Sequence, residues 1–226
     1  MDLDEKQATN RKRQPMKKFL LIVVCVAGMV ACNRVSADTI TYALNVGNSE
    51  LAGYPGDYGT VTVDLTSPTT ATITFASGRV GGNIYLFGDG RCVDVNVNAA
   101  SFSVGDISGS NAGTGFSPGP YSVTSGFLDG FGFFNAAITS LDGFKCSADL
   151  VTFVLTDLSG TWPTAASVLT RNTLGVVAGA HIFVTEDPAV WSLQSLEAQG
   201  AGAAVPDGGM TAALLGLGML GLGFFA

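Results

Sequence analysis

Histidine is almost missing from this sequence: His181 is the only one among 226 residues. No H-x-x-x-H or H-x-H pair can form, and His181 opens the apolar stretch "HIFV", so a histidine-based zinc site is excluded. The G-x-S-x-G elbow and the P-loop are both absent. A Ser/His/Asp triad gathered from distant loops has no feature in its favour. Glutamate is also scarce, with only Glu50, Glu186 and Glu197 after residue 37. Basic residues beyond that point are four, Arg79, Arg91, Lys145 and Arg171, against fifteen acidic ones, a net of −11. Such a surface repels phosphate backbones, so nucleic acid is excluded as a partner. Low-complexity tracts are missing too, and 47% of the residues are hydrophobic, which predicts a packed core.

The seven remaining basic residues crowd the first 37 positions. From Met16 the chain reads "MKKFLLIVVCVAGMVACNRVSADTI": two lysines, an apolar run of about 13 residues from Phe19 to Ala31, then Val35-Ser36-Ala37. This is the layout of a secretory signal peptide over residues 16–37, with cleavage between Ala37 and Asp38. The run is shorter than the roughly 20 residues a membrane span needs. Residues 1–15 form a polar leader that adds nothing to the signal, which makes Met16 the expected start. "MVAC", Met29 to Cys32, resembles a bacterial lipobox, with methionine in place of the usual leucine and lipidation of Cys32 as its implication.

Residues 38–199 alternate with period two. "GTVTVDLT" sets Val61, Val63 and Leu65 on one face, "TATITFA" does so with Ile73 and Phe75, and "CVDVNVN" turns Val93, Val95 and Val97 inward and Asp94, Asn96 and Asn98 outward. "LVTFVLT" is apolar on both faces and is expected at the centre of a sheet, with "HIFVT" a shorter version. The connections are turn chemistry: "YPGDYG", "FGDGR", "SPGPY", "LDGF" twice, "LSG". About eight to eleven short strands so spaced predict an all-β domain of the β-sandwich or jelly-roll kind. "PTAASVLTRN" alone reads as helix, about two turns long, capped by Thr161 or Thr164. Residues 200–204 read as a linker.

Cys92 and Cys146 outlast signal removal, and in an oxidising compartment a disulfide between them is expected. It would close a loop of about 54 residues and contribute roughly 4 kcal/mol. No metal or cofactor is assigned. Asp89, Asp129 and Asp142 each precede glycine, as hairpin turns require, and the calcium-loop spacing D-x-[DN]-x-[DN]-G is absent. Two carboxylates from separate loops could serve glycoside hydrolysis, and Tyr54, Tyr58, Trp162 or Trp191 could stack on sugar rings.

The chain closes with Val205-Pro206-Asp207-Gly208-Gly209 and an uncharged span, 210–226, rich in glycine and leucine. About 17 residues of helix cover about 25 Å, close to a hydrocarbon core. Glycines at 216, 218, 221 and 223 are tolerated in lipid and permit close helix contact. These 22 residues resemble the PEP-CTERM class of sorting signal in its VPDSG/VPDGG variant. The resemblance implies an exported substrate of an exosortase, a membrane-embedded cysteine protease regarded as a transpeptidase, in Gram-negative bacteria that make exopolysaccharide or biofilm matrix. It implies Pro206 as part of the recognition motif and a C-terminal transmembrane helix as a transient anchor. Such signals normally close in a basic cluster, whereas this sequence ends "GFFA", read either as a shortened sequence or as weaker retention. "DLSGTWPTAASVLT" resembles β-rich domains that accompany these tails. The expectation is a non-enzymatic cell-envelope or extracellular-matrix protein. A carbohydrate-binding module of the same fold and a glycan-active enzyme are the alternatives.

Overall fold

The computed structural model describes residues 38–186 and 194–204. The leader, the signal peptide with Ala37, Trp191, the motif Val205–Gly209 and the span 210–226 lie outside the described residues. Thirteen strands follow in order: β1 (Asp38–Leu44), β2 (Val46–Gly47), β3 (Gly59–Ser67), β4 (Thr70–Ser77), β5 (Arg79–Val80), β6 (Asn83–Phe87) and β7 (Arg91–Val95). Then come β8 (Phe102–Ser110), β9 (Ser122–Leu128), β10 (Gly132–Thr139), β11 (Leu150–Asp157), β12 (Val176–Thr185) and β13 (Gln194–Ala204). They form two antiparallel sheets. A five-stranded sheet has the order β1-β3-β4-β11-β8; an eight-stranded one has β2-β13-β12-β7-β10-β9, with β6 also on β12 and β5 on β6.

One apolar core joins the two sheets. Val61, Val63, Leu65, Ile73 and Phe75 enter it from the five-stranded sheet, and Val93 and Val95 from the other, on the faces that their alternation predicts. Phe75 marks the contact between layers: its ring meets Phe87 edge-on at 5.9 Å and stacks near Phe153 at 6.3 Å. β11 is interior but not buried on both faces. Val151, Phe153 and Leu155 are buried while Leu150 is exposed, because the outer face of this sheet is open.

That outer face is a threonine field. Thr41 and Thr62 lie hydroxyl to hydroxyl at 3.1 Å, and Thr39 donates to Asp64 at 3.1 Å. The outer face of the eight-stranded sheet is instead covered by the chain's own loops and by the β9–β10 hairpin. Phe144 and Phe116 close over Ile84, Leu86 and Phe183 on one half. Leu128, Phe131 and Phe134 form a cluster on the other half. There the sheet offers a glycine floor: a Cβ on Gly202 would run into the ring of Phe131, one on Gly179 into Leu128, and one on Gly200 would lie 2.8 Å from the Asp129 carbonyl oxygen.

This packing overturns the reading of 200–204 as a linker. The segment is the end of β13, with Ala201 and Ala203 in the inter-sheet core and Gly200 and Gly202 under Phe131. Small residues stand there because both faces are crowded. "FGDGR" departs from expectation as well. β6 and β7 both run antiparallel to β12, so Gly88-Asp89-Gly90 interrupts one line of strand and reverses nothing. Asp89 and Gly90 take φ of 72° and 68°, and the Gly88 N–H still reaches the His181 carbonyl at 3.1 Å. The expected helix is a single 3₁₀ turn, Ala165–Ser167, with Thr164 at its cap position and its Ala165 N–H donated to the Asp38 carboxylate at 2.7 Å.

Candidate functional site: the β9–β10 hairpin

"GFLDGFGFF" places Asp129-Gly130 at the centre of a turn. Gly130 takes φ 78°, the Phe131 N–H bonds the Leu128 carbonyl at 3.0 Å, and Phe127 falls opposite Phe133. Two asparagines hold the tip in place. Asn48 donates to the Asp129 carbonyl at 2.9 Å, and Asn172 to those of Phe131 and Phe133 at 2.7 and 3.2 Å.

Beneath the hairpin lies a buried charge pair. Asp94 belongs to the outer face of β7, as its alternation with Val93 and Val95 predicts, yet it is fully buried. Arg91 Nε and Nη2 reach Asp94 Oδ1 at 2.7 and 2.6 Å, and Nη2 also donates to the Gly126 carbonyl of β9 at 2.8 Å. Arg91 thus ties the buried carboxylate to the outer strand of the hairpin. Burial pushes the Asp94 carboxyl up to about 7, and Arg91 offsets only part of that rise. Asp94 Oδ2 is buried with no hydrogen-bond partner, so this half of the carboxylate is left uncompensated, in keeping with the rise.

The opposite side of the hairpin faces solvent. Phe127 is 77% exposed and Phe133 41%, with ring centroids 5.4 Å apart and planes at 73°. Val123 at 45% and Leu174 at 60% are exposed too, and Leu174 stands beside Gly132. The rings meet edge to face, so they offer no flat platform for a sugar ring. The hairpin is locked below by an ion pair and apolar packing, and bears aromatic, uncharged groups above.

No protein-family model, curated protein or solved structure is similar to this chain.

The other residues singled out by sequence fall elsewhere. The Cys92–Cys146 disulfide is not formed: both are free thiols. The register of β7 against β10 shifts beside Cys92, whose side chain is buried in the inter-sheet core, whereas Cys146 ends a short 3₁₀ turn, Phe144–Cys146, and is partly exposed. Burial, with Asp94 nearby, pushes the Cys92 thiol up to about 12, which leaves it unreactive as well as unpaired. His181 Nδ1 lies 3.3 Å from the Asp89 carbonyl oxygen. Glu50 belongs to a 3₁₀ turn, Ser49–Gly53. Among the described residues no three His, Cys, Asp or Glu side chains are grouped to hold a metal ion, and no helix is long and apolar enough to cross a membrane.

Of the aromatics picked for sugar stacking, the three among the described residues are taken by the core. Tyr58 and Trp162 are buried, Trp162 donating its indole N–H to the Asn98 carbonyl at 2.8 Å, and Tyr54 packs against the same core. Sequence reading passed over Phe127 and Phe133. Their signal is present: they stand symmetrically about Gly130, so a hairpin turning there brings them opposite.

Proposed function

We propose that this is an exported, non-enzymatic protein of the cell envelope or extracellular matrix, delivered by a signal peptide and sorted by an exosortase through Val205-Pro206-Asp207-Gly208-Gly209 and the span 210–226. The observation that carries the reading is the pairing of two address segments in one sequence, each at its proper end. The described residues, 38–186 and 194–204, lie between the two segments. The domain between them is a sandwich in its layering, for which the jelly-roll description remains part of the proposal. Exopolysaccharide is the proposed surrounding matrix, and the membrane is the transient anchor.

Mapping both termini of the mature protein from its native host by mass spectrometry tests this. A start at Asp38 and an end near Pro206 are expected. An accumulated product that retains Ala226 overturns the sorting step, and a lipid on Cys32 overturns the cleavage point.

A further inference from the structure

Sheets end in edges, and an edge with free backbone groups recruits another strand unless it is blunted. This molecule blunts most of its edges. β2 and β5 are two residues each. β1 begins with Asp38 and runs through Asn45 into β2, which belongs to the other sheet. β8 carries Asp106 in a left-handed conformation, φ 51°, where its register with β11 breaks between Thr152 and Val154.

β9 is different. It is seven residues long, contains no charge and no proline, and among the described residues pairs on one side only, with β10. The irregularity in that pair places one surplus residue in β10, between Phe134 and Ala137, and β9 itself departs from ordinary strand backbone at Gly126, φ 157°. Its exposed positions include Val123 and Phe127, which lie on one face of the strand. Residues 107–128 hold no charged side chain at all, in a chain whose net charge beyond residue 37 is −11. Two copies of so acidic a domain approach most easily along this strip.

We propose that β9 is a self-association edge, along which two copies of this chain pair their β9 strands antiparallel about a two-fold axis through Ser125. That register sets Ser125 against Ser125 of the second copy, and Val123 of each against Phe127 of the other. Every exposed apolar side chain of the strand meets an apolar partner, in the aromatic–β-branched pairing that stabilises neighbouring strands. Phe133, already edge-on to Phe127, widens the apolar strip. The contact is self-complementary, as a two-fold interface requires, and it joins two eight-stranded sheets into one. A seven-residue edge buries less than the roughly 1,200 Å² of a standard interface, so the pairing is of the weak class that acts where copies are crowded. The inference stands on the described domain and does not depend on the sorting reading.

Cysteine cross-linking of the full chain in mild detergent tests it, because the readout depends on position and not on association through the C-terminal span. Residues directly opposite in an antiparallel pair have Cα atoms about 5 Å apart, within disulfide reach. Ser125→Cys is expected to form a covalent dimer under mild oxidation about tenfold faster than Ser108→Cys, a control on β8, with the parent chain as background. Adding Phe127→Lys, at a site too exposed to affect folding, is expected to slow the Ser125→Cys reaction about tenfold. Equal rates at the two positions, or no effect of Phe127→Lys, overturn the proposal. If cross-linking matches the control while Phe127→Lys lowers retention on phosphatidylcholine vesicles, the strip faces a bilayer and the proposal fails.

Discussion

The two sheets share a core but treat their outer faces in opposite ways. The five-stranded sheet leaves its face to water and lines it with threonine, so each strand needs only one apolar side. The eight-stranded sheet roofs its face with Leu128, Phe131 and Phe134 at one end and Phe144 with Phe116 at the other. Its strands β6, β7 and β12 are therefore buried on both sides, and β7 carries the buried Arg91–Asp94 pair. Stability and sensitivity to substitution should be concentrated in the roofed sheet.

The largest effect is expected at Asp94. Asp94→Ala leaves the Arg91 guanidinium without its carboxylate and should cost about 4 kcal/mol in urea unfolding. Replacing both residues, Arg91→Met with Asp94→Leu, should return most of that loss; a double variant no better than the single one would show that the pair does more than neutralise itself. Next comes the roof. Phe131→Ala should cost about 3 kcal/mol, because the glycine floor cannot rise to fill the gap.

Titration sharpens the same contrast. The Asp94 carboxyl is raised to about 7 from 3.8, so its contribution is complete below about pH 4 and is lost as pH rises through 7. Asp157, at the end of β11 in the open sheet, accepts the Ser159 and Gly160 N–H groups at 2.8 and 2.9 Å, which hold its carboxyl below the usual range. Its contribution is present above the ordinary carboxylate range and is lost as pH falls through its lowered value. Unfolding followed from pH 4 to 8 should show a decline toward neutrality that Asp94→Asn removes and Asp157→Asn leaves intact. The smallest effect belongs to the open face: Thr62→Val should change stability by no more than about 0.5 kcal/mol. A loss comparable with that of Phe131→Ala would erase the distinction between the faces.

The open sheet was readable from sequence because its environment has two sides, water and core, and its residues alternate accordingly. Val61, Val63, Leu65, Ile73 and Phe75 all stand where period two places them. The roofed sheet was not. In "GAGA", residues 200–203, the alternation exists, alanine inward and glycine outward, but both members are small and the contrast vanishes into something that resembles a linker. Asp94 was assigned to the correct face, yet its burial comes from a hairpin more than thirty residues away along the chain. A register shift beside Cys92 accompanies its burial in the core, and no pattern in the sequence marks that shift. At the candidate site the Asp-Gly turn was legible, whereas the exposure of Phe127 and Phe133 depends on which side of the hairpin docks, a tertiary fact.

The position of β13 governs the order of assembly. The last described strand is flanked by β2, near the start of the domain, and by β12, so Val46 must find Gly202 before the eight-stranded sheet is whole. Contacts so far apart in sequence slow the search for the native state. A chain that emerges amino end first, from a ribosome or through a membrane pore, holds a gap in this sheet until residue 204 is clear. The five-stranded sheet, complete once β11 has emerged, can form while that gap is still open.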